Sequence, residues 1–107
     1  MKAVLCKQHG LPDTLVVEEI PSPKAGAKQV VITVKACGVN FPDTLIIQNK
    51  YQFKPELPFS PGGEVAGIIK EVGEGVSHLN VGDTVIAMTG WGGFAEEVLT
   101  DASRVFP

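Results

Sequence analysis

Several features that most readily declare a function are scarce in this sequence. Its 107 residues hold two cysteines, Cys6 and Cys37, and no C-x-x-C pair. That excludes a disulfide-dense secreted scaffold and leaves redox-motif and zinc-ribbon readings without support. Both thiols sit in apolar strand-like runs and are expected to be buried, acting as small hydrophobes. Nine Lys and Arg are scattered against twelve Asp and Glu, for a net charge of −3. No cationic stripe is present to displace counterions or to meet an anionic bilayer, so neither nucleic acid nor a membrane surface is an expected partner. No apolar run approaches the roughly 18 residues of a spanning helix. Lys7 follows Lys2 too closely for the apolar stretch of a secretory leader, which makes the cytoplasm the expected location. A Walker A loop and a G-x-S-x-G elbow are also missing.

What remains is ordinary globular composition, 44% hydrophobic and 20% charged. The length predicts one domain over 1–107, able to build its own core but too small to hold a second, cofactor-binding domain as well. Twelve glycines and eight prolines punctuate short β-branched runs. Strands are predicted over Lys2–Cys6, Thr14–Ile20, Gln29–Cys37, Glu64–Val72, Thr84–Met88 and Phe94–Leu99. In the third of these, a period of two puts Val30, Ile32, Val34 and Ala36 on one face. Turns fall at Gly73-Glu74-Gly75, Val81-Gly82-Asp83 and Gly90-Trp91-Gly92-Gly93. One short helix is predicted over 41–48, opened by Asn40 as a capping residue, by Pro42 and by an early Asp43. Lys50–Pro61 reads as a long irregular loop with three prolines and three aromatics. Short strands with regular turn signals predict a mainly β fold, a barrel or a sandwich.

Most chemical motifs fail on inspection. Gly73-Glu74-Gly75-Val76-Ser77-His78 begins like a dinucleotide fingerprint but lacks the third glycine and any helix signal, so it reads as a turn. His9 and His78 have no partner at metal-ligand spacing. Glu18-Glu19 and Glu96-Glu97 are adjacent on strands and therefore face opposite ways, which rules out two-carboxylate catalysis by either pair. The unusual stretch runs from Ala36 to Gly67. It gathers Asn40, Asp43 and Tyr51 around a helix start and returns through the proline-rich loop to Pro61-Gly62-Gly63-Glu64. A capped helix with a surface loop accounts for this pattern as well as a site does.

The same residues carry a resemblance. Gly38-Val39-Asn40 with Asp43, Tyr51 with Lys54-Pro55, Leu57-Pro58, Pro61 to Gly67, Val72-Gly73, Val81 to Val85 and Gly93-Phe94-Ala95-Glu96 follow one another in family order across nearly the whole chain. The chain resembles the N-terminal domain of the medium-chain dehydrogenase/reductase superfamily, and within it the zinc-independent quinone oxidoreductase branch. The resemblance implies a GroES-like, partly open β-barrel with one or two short helices. It also implies a separate Rossmann domain for NADPH, absent from these 107 residues, and a parent enzyme that forms a homodimer. Zinc-dependent relatives carry a Cys where Asn40 stands and a His where Gly63 stands, and Cys37 lies three residues before that ligand position. No zinc is therefore expected.

On this reading the chain is the substrate-side domain of a reductase of quinones or conjugated carbonyls, inactive alone. Asn40 and Tyr51 are the expected donors to the acceptor oxygen, with Asp43 orienting them. Phe41, Phe53 and Trp91 are expected cleft walls, Gly63 a point of close approach, and Glu64 an anchor of the cleft floor. The alternatives are a zinc-free enoyl or acryloyl-type reductase domain and a non-catalytic GroES-like interaction module.

Overall fold

Runs of β-branched residues become the strands of the computed structural model, which describes residues 1–107. In chain order the strands are β1 (Lys2–Leu5), β2 (Val16–Glu19), β3 (Gln29–Cys37), β4 (Glu64–Val72), β5 (Thr84–Met88), β6 (Glu97–Asp101) and β7 (Val105–Phe106), with one helix, α1 (Phe41–Ile46), between β3 and β4. β1 and β2 form a two-stranded ribbon; the remaining strands form a sheet in the order β6-β3-β4-β5-β7. Every pairing is antiparallel, and the larger sheet curls into a half-barrel. The mainly β, GroES-like reading is borne out. No helix is long and apolar enough to cross a membrane.

The predicted bounds of β3, β4 and β5 hold to the residue. Elsewhere local chemistry moved them. β1 stops at Leu5, and β2 starts two residues late because Thr14 folds back into a 3-10 turn over Pro12–Thr14, its hydroxyl donating to the Leu11 carbonyl at 2.8 Å. The segment predicted to open β6 links the two sheets instead: Val4 N–H donates to the Phe94 carbonyl at 2.8 Å and Val34 N–H to the Glu96 carbonyl at 2.9 Å. β6 therefore begins at Glu97. The helix ends at Ile46, two residues short of the predicted span. A second 3-10 turn, Ala102–Arg104, and the two-residue β7 are too short to leave a periodic trace in the sequence.

Alternation fills the curled sheet. Val30 and Ile32 of β3, Val65 and Ile69 of β4, Val85 and Ala87 of β5 and Val98 of β6 bury their side chains with Leu79, Ala102 and Val105 in one cluster. Val34 only borders it, and Ala36 is exposed because β3 runs past the core towards the cleft. A smaller cluster of Cys6, Ile46, Ile47 and Phe59 seats α1 against the first strand. Glu18 and Glu19 point to different partners, Lys7 at 2.7 Å and the N-terminal amine at 3.3 Å, as adjacent strand positions must.

β3 and β4 approach closely. A Cβ on Gly67 would collide with the Thr33 carbonyl and lie 2.8 Å from Ile32 Cγ2. Gly67→Ala is therefore expected to destabilise the fold by about 2 kcal/mol or more. Ile86→Thr, at an exposed position of the same sheet, should change stability by no more than about 0.5 kcal/mol. Thermal melts of the two variants side by side check this; equal shifts would show that the strand approach is not limiting.

Candidate functional site

The end of β3 sets the site. Gly38 N–H donates to the Glu64 carbonyl at 2.9 Å, carrying the β3–β4 ladder one residue further. The chain then turns through Val39 into Asn40, which is extended at φ −123°, ψ 160° and occupies the N-cap of α1. Asp43, at the third helical position, accepts the Asn40 backbone N–H at 2.9 Å, the acidic half of a capping box. Thr44 and Gln48 side chains satisfy the Phe41 and Thr44 carbonyls at 2.7 Å each. Asn49, at φ 59°, ends the turn that follows, with Lys50 N–H donating back to the Leu45 carbonyl at 2.9 Å.

An open cleft of about 520 Å³ lies over this turn, lined by Asn40, Pro42, Asp43, Tyr51, Phe53, Gly63, Glu64, Met88, Gly90 and Arg104. Six of the eight residues expected from the sequence meet there. Phe41 does not: it is 74% exposed, on the solvent side of α1. Trp91 lines a neighbouring cavity of about 240 Å³ and touches the cleft through Phe53, ring centres 6.2 Å apart. Tyr51 meets Phe53 edge to face at 5.5 Å, so the three rings form one continuous aromatic wall.

The polar groups divide into engaged and free. Asn40 Nδ2 donates to Glu64 Oε1 at 3.3 Å, which leaves its second amide N–H unengaged. The Tyr51 hydroxyl has no partner within the chain. Asp43 is buried, and its carboxylate is held by the helix cap. Glu64 occupies the space where a Cβ on Gly38 would stand, so glycine at 38 is what lets the carboxylate reach Asn40. Glycine at 63 answers a need inside the fold: a Cβ there would lie 2.9 Å from the Gly90 carbonyl oxygen.

Cys37 departs from the expected full burial. Its side chain is half-buried beside the cleft floor, with Sγ 2.8 and 2.7 Å from the places where Cβ atoms of Gly62 and Gly93 would stand. Burial pushes its thiol pKa up, and the Asp43 and Glu64 carboxylates add to that push against a backbone hydrogen bond from Glu64. Cys6 is fully buried, and its thiol is likewise raised by burial. Nowhere do three His, Cys, Asp or Glu side chains converge to hold a metal ion. Gly73-Glu74-Gly75 is a turn with no helix after it.

Four lining residues are not among those expected at the site; the sequence marks Pro42 and Gly90 only as helix-start and turn formers, and Met88 and Arg104 not at all. Met88 comes from the β4–β5 register, which pairs it with Glu64, and Arg104 from the second 3-10 turn. Only topology brings them in; neither carries a local signal.

Residues 26–107 match the alcohol dehydrogenase GroES-like domain family. The chain belongs to that family. It is 47% identical over 98 residues to a quinone oxidoreductase-like protein 2 homolog of Nematostella vectensis, covering 90% of this chain and 26% of that one. It is 40% identical to a quinone oxidoreductase of Rattus norvegicus, covering 100% of this chain and 33% of the relative. Among solved structures, an Escherichia coli quinone oxidoreductase complexed with NADPH superposes at a TM-score of 0.92 with 30% identity, over 99% of this chain and 32% of that one. This family member thus spans between a quarter and a third of the length of those relatives.

The raised thiols give a prediction. A raised folded pKa means that the neutral thiol is favoured in the fold. The associated stability is complete below the unfolded thiol pKa of about 8.5 and is lost as pH rises through the folded value. At pH 8, iodoacetamide should alkylate Cys37 and Cys6 in the folded chain about tenfold more slowly than in the urea-unfolded chain. Peptide mapping by mass spectrometry reads each site; equal rates in the two states would contradict the assignment.

Proposed function

We propose that this GroES-like domain is the substrate side of an NAD(P)H-dependent, zinc-independent reductase of quinones and related conjugated carbonyls. The observation that carries the reading is the pair of unengaged donors, Asn40 amide and Tyr51 hydroxyl, on one cleft walled by Tyr51 and Phe53, with Trp91 packed behind Phe53. The quinone oxidoreductase names of the relatives support it.

When bound, a nicotinamide supplies the hydride. The aromatic wall receives a planar acceptor through its ring faces and edges. As negative charge develops on the acceptor oxygen, the free Asn40 N–H and the Tyr51 O–H donate to it, doing by hydrogen bonding what a Lewis acid does elsewhere. Glu64 holds the Asn40 amide through its other N–H, and Asp43 fixes the turn on which Asn40 stands. Both carboxylates are thus positioning groups. Asn40 and Gly63 stand where zinc-dependent relatives carry a thiolate and an imidazole, and neither replaces a soft ligand. No glycine-rich turn opens a helix within the chain, the arrangement that receives dinucleotide phosphates. We assign that task to the part of the relatives' length that this chain does not span, and expect the domain alone to be inactive.

Two measurements test the reading. In the full-length protein that carries this domain, Asn40→Ala and Tyr51→Phe should each lower kcat/KM for a naphthoquinone by about 10- to 100-fold. A fall of about threefold or less, under roughly 0.7 kcal/mol, would refute the donor assignment. Elemental analysis of chelator-washed protein should find far less than one zinc per chain; a stoichiometric signal would refute the metal-free mechanism.

A further inference from the structure

The cavity beside the cleft is rich in donors that have no acceptor. Its lining includes Gln29, Trp91, Thr100, Asp101 and Arg104. Arg104 is the chain's one arginine, is exposed, forms no ion pair or hydrogen bond, and borders both this cavity and the main cleft. The turn that carries it is fixed, because Ala102 is buried and its N–H donates to the Lys28 carbonyl at 3.0 Å. Thr100 is only 7% exposed, yet its hydroxyl has no partner within the chain. Gln29 accepts the Gly26 N–H through Oε1 at 3.0 Å, which fixes the amide and leaves both Nε2 protons free. The Trp91 indole N–H is unpartnered as well. Against these stands one carboxylate, Asp101, on the exposed rim and outside ion-pair distance of Arg104. The Thr89 hydroxyl is already engaged, donating to the Gly62 carbonyl at 3.3 Å.

Four donors around about 240 Å³ make poor company for a cation or an apolar group. They suit an oxyanion, because a guanidinium offers a planar fork to a carboxylate or phosphate while the neutral donors take the remaining lone pairs. We propose that this cavity is an anion subsite, with Arg104 as its anchor, for a carboxylate or phosphate group on a molecule occupying the adjoining cleft. What that group is attached to rests on the reductase reading; the anion site itself does not.

Trp91 is the single tryptophan and lines the cavity, so its fluorescence reports occupancy. The chain is titrated with glutarate and, separately, with inorganic phosphate, each against chloride at equal ionic strength. A saturable change in Trp91 emission is expected with at least one of them: glutarate alone identifies a carboxylate site, phosphate alone a phosphate site. Arg104→Gln should weaken that binding about tenfold or more, with Arg104→Lys in between, since lysine keeps the charge and loses the fork. Because Arg104 is exposed and unbonded, its replacement leaves the fold intact. Responses no different from chloride, or undiminished in Arg104→Gln, would overturn the proposal. A naphthoquinone with a propionate arm and its methyl ester are then compared in the full-length protein that carries this domain. The acid should bind about tenfold more tightly than the ester in the native chain and equally in Arg104→Gln. If neither quinone binds while the anions do, the reductase reading fails and the anion site stands.

Discussion

The close pairing of β3 with β4 is the constraint from which the rest of the molecule follows. Along this one ladder, three glycines stand where a side chain would strike a neighbour: Gly67 beside the Thr33 carbonyl, Gly73 beside the Gly26 carbonyl, and Gly38 beside the Glu64 carboxylate. A slip of one residue would turn Val30, Ile32, Val65 and Ile69 away from the core and drive side chains into those gaps. Register is therefore fixed twice, by apolar burial and by backbone contact. The same register aims Glu64 at Asn40 and, through β5, sets Met88 opposite Glu64.

How much of this the sequence discloses depends on the range of the interactions. β3, β4 and β5 were legible because each alternates or runs apolar for at least five residues between turn formers. Phe94 to Glu96 has the composition of a strand but satisfies its backbone across two sheets, and nothing local announces that. The same division holds in the site. Asn40, Asp43, Gly63 and Glu64 lie next to a cap or a strand start, and their places follow from local chemistry. Phe41 looked equivalent to Phe53 in the sequence, but the pitch of α1 turns it outward while the return loop lays Phe53 on the wall. Met88 comes from a distant strand and Arg104 from a distant 3-10 turn, and neither has a local marker.

The cleft also shows a division of labour between charge and polarity. Its two carboxylates are tied to Asn40, one through the backbone N–H and the other through the side-chain amide, and so hold the site in shape. Beside them stand neutral donors and, at the far rim, a single guanidinium. Such a surface favours species that gain electron density, and it does so with groups already held in place by the fold rather than recruited from solvent.

Cys37 brings a last consequence. Peroxides attack the thiolate, and the first product is a sulfenic acid. Here the surroundings keep the sulfur protonated, and the close-lying backbone of Gly62 and Gly93 shields one side of it. Such a setting disfavours the thiolate from which oxidation starts. The domain can keep a thiol beside its cleft without that thiol serving as a redox sensor.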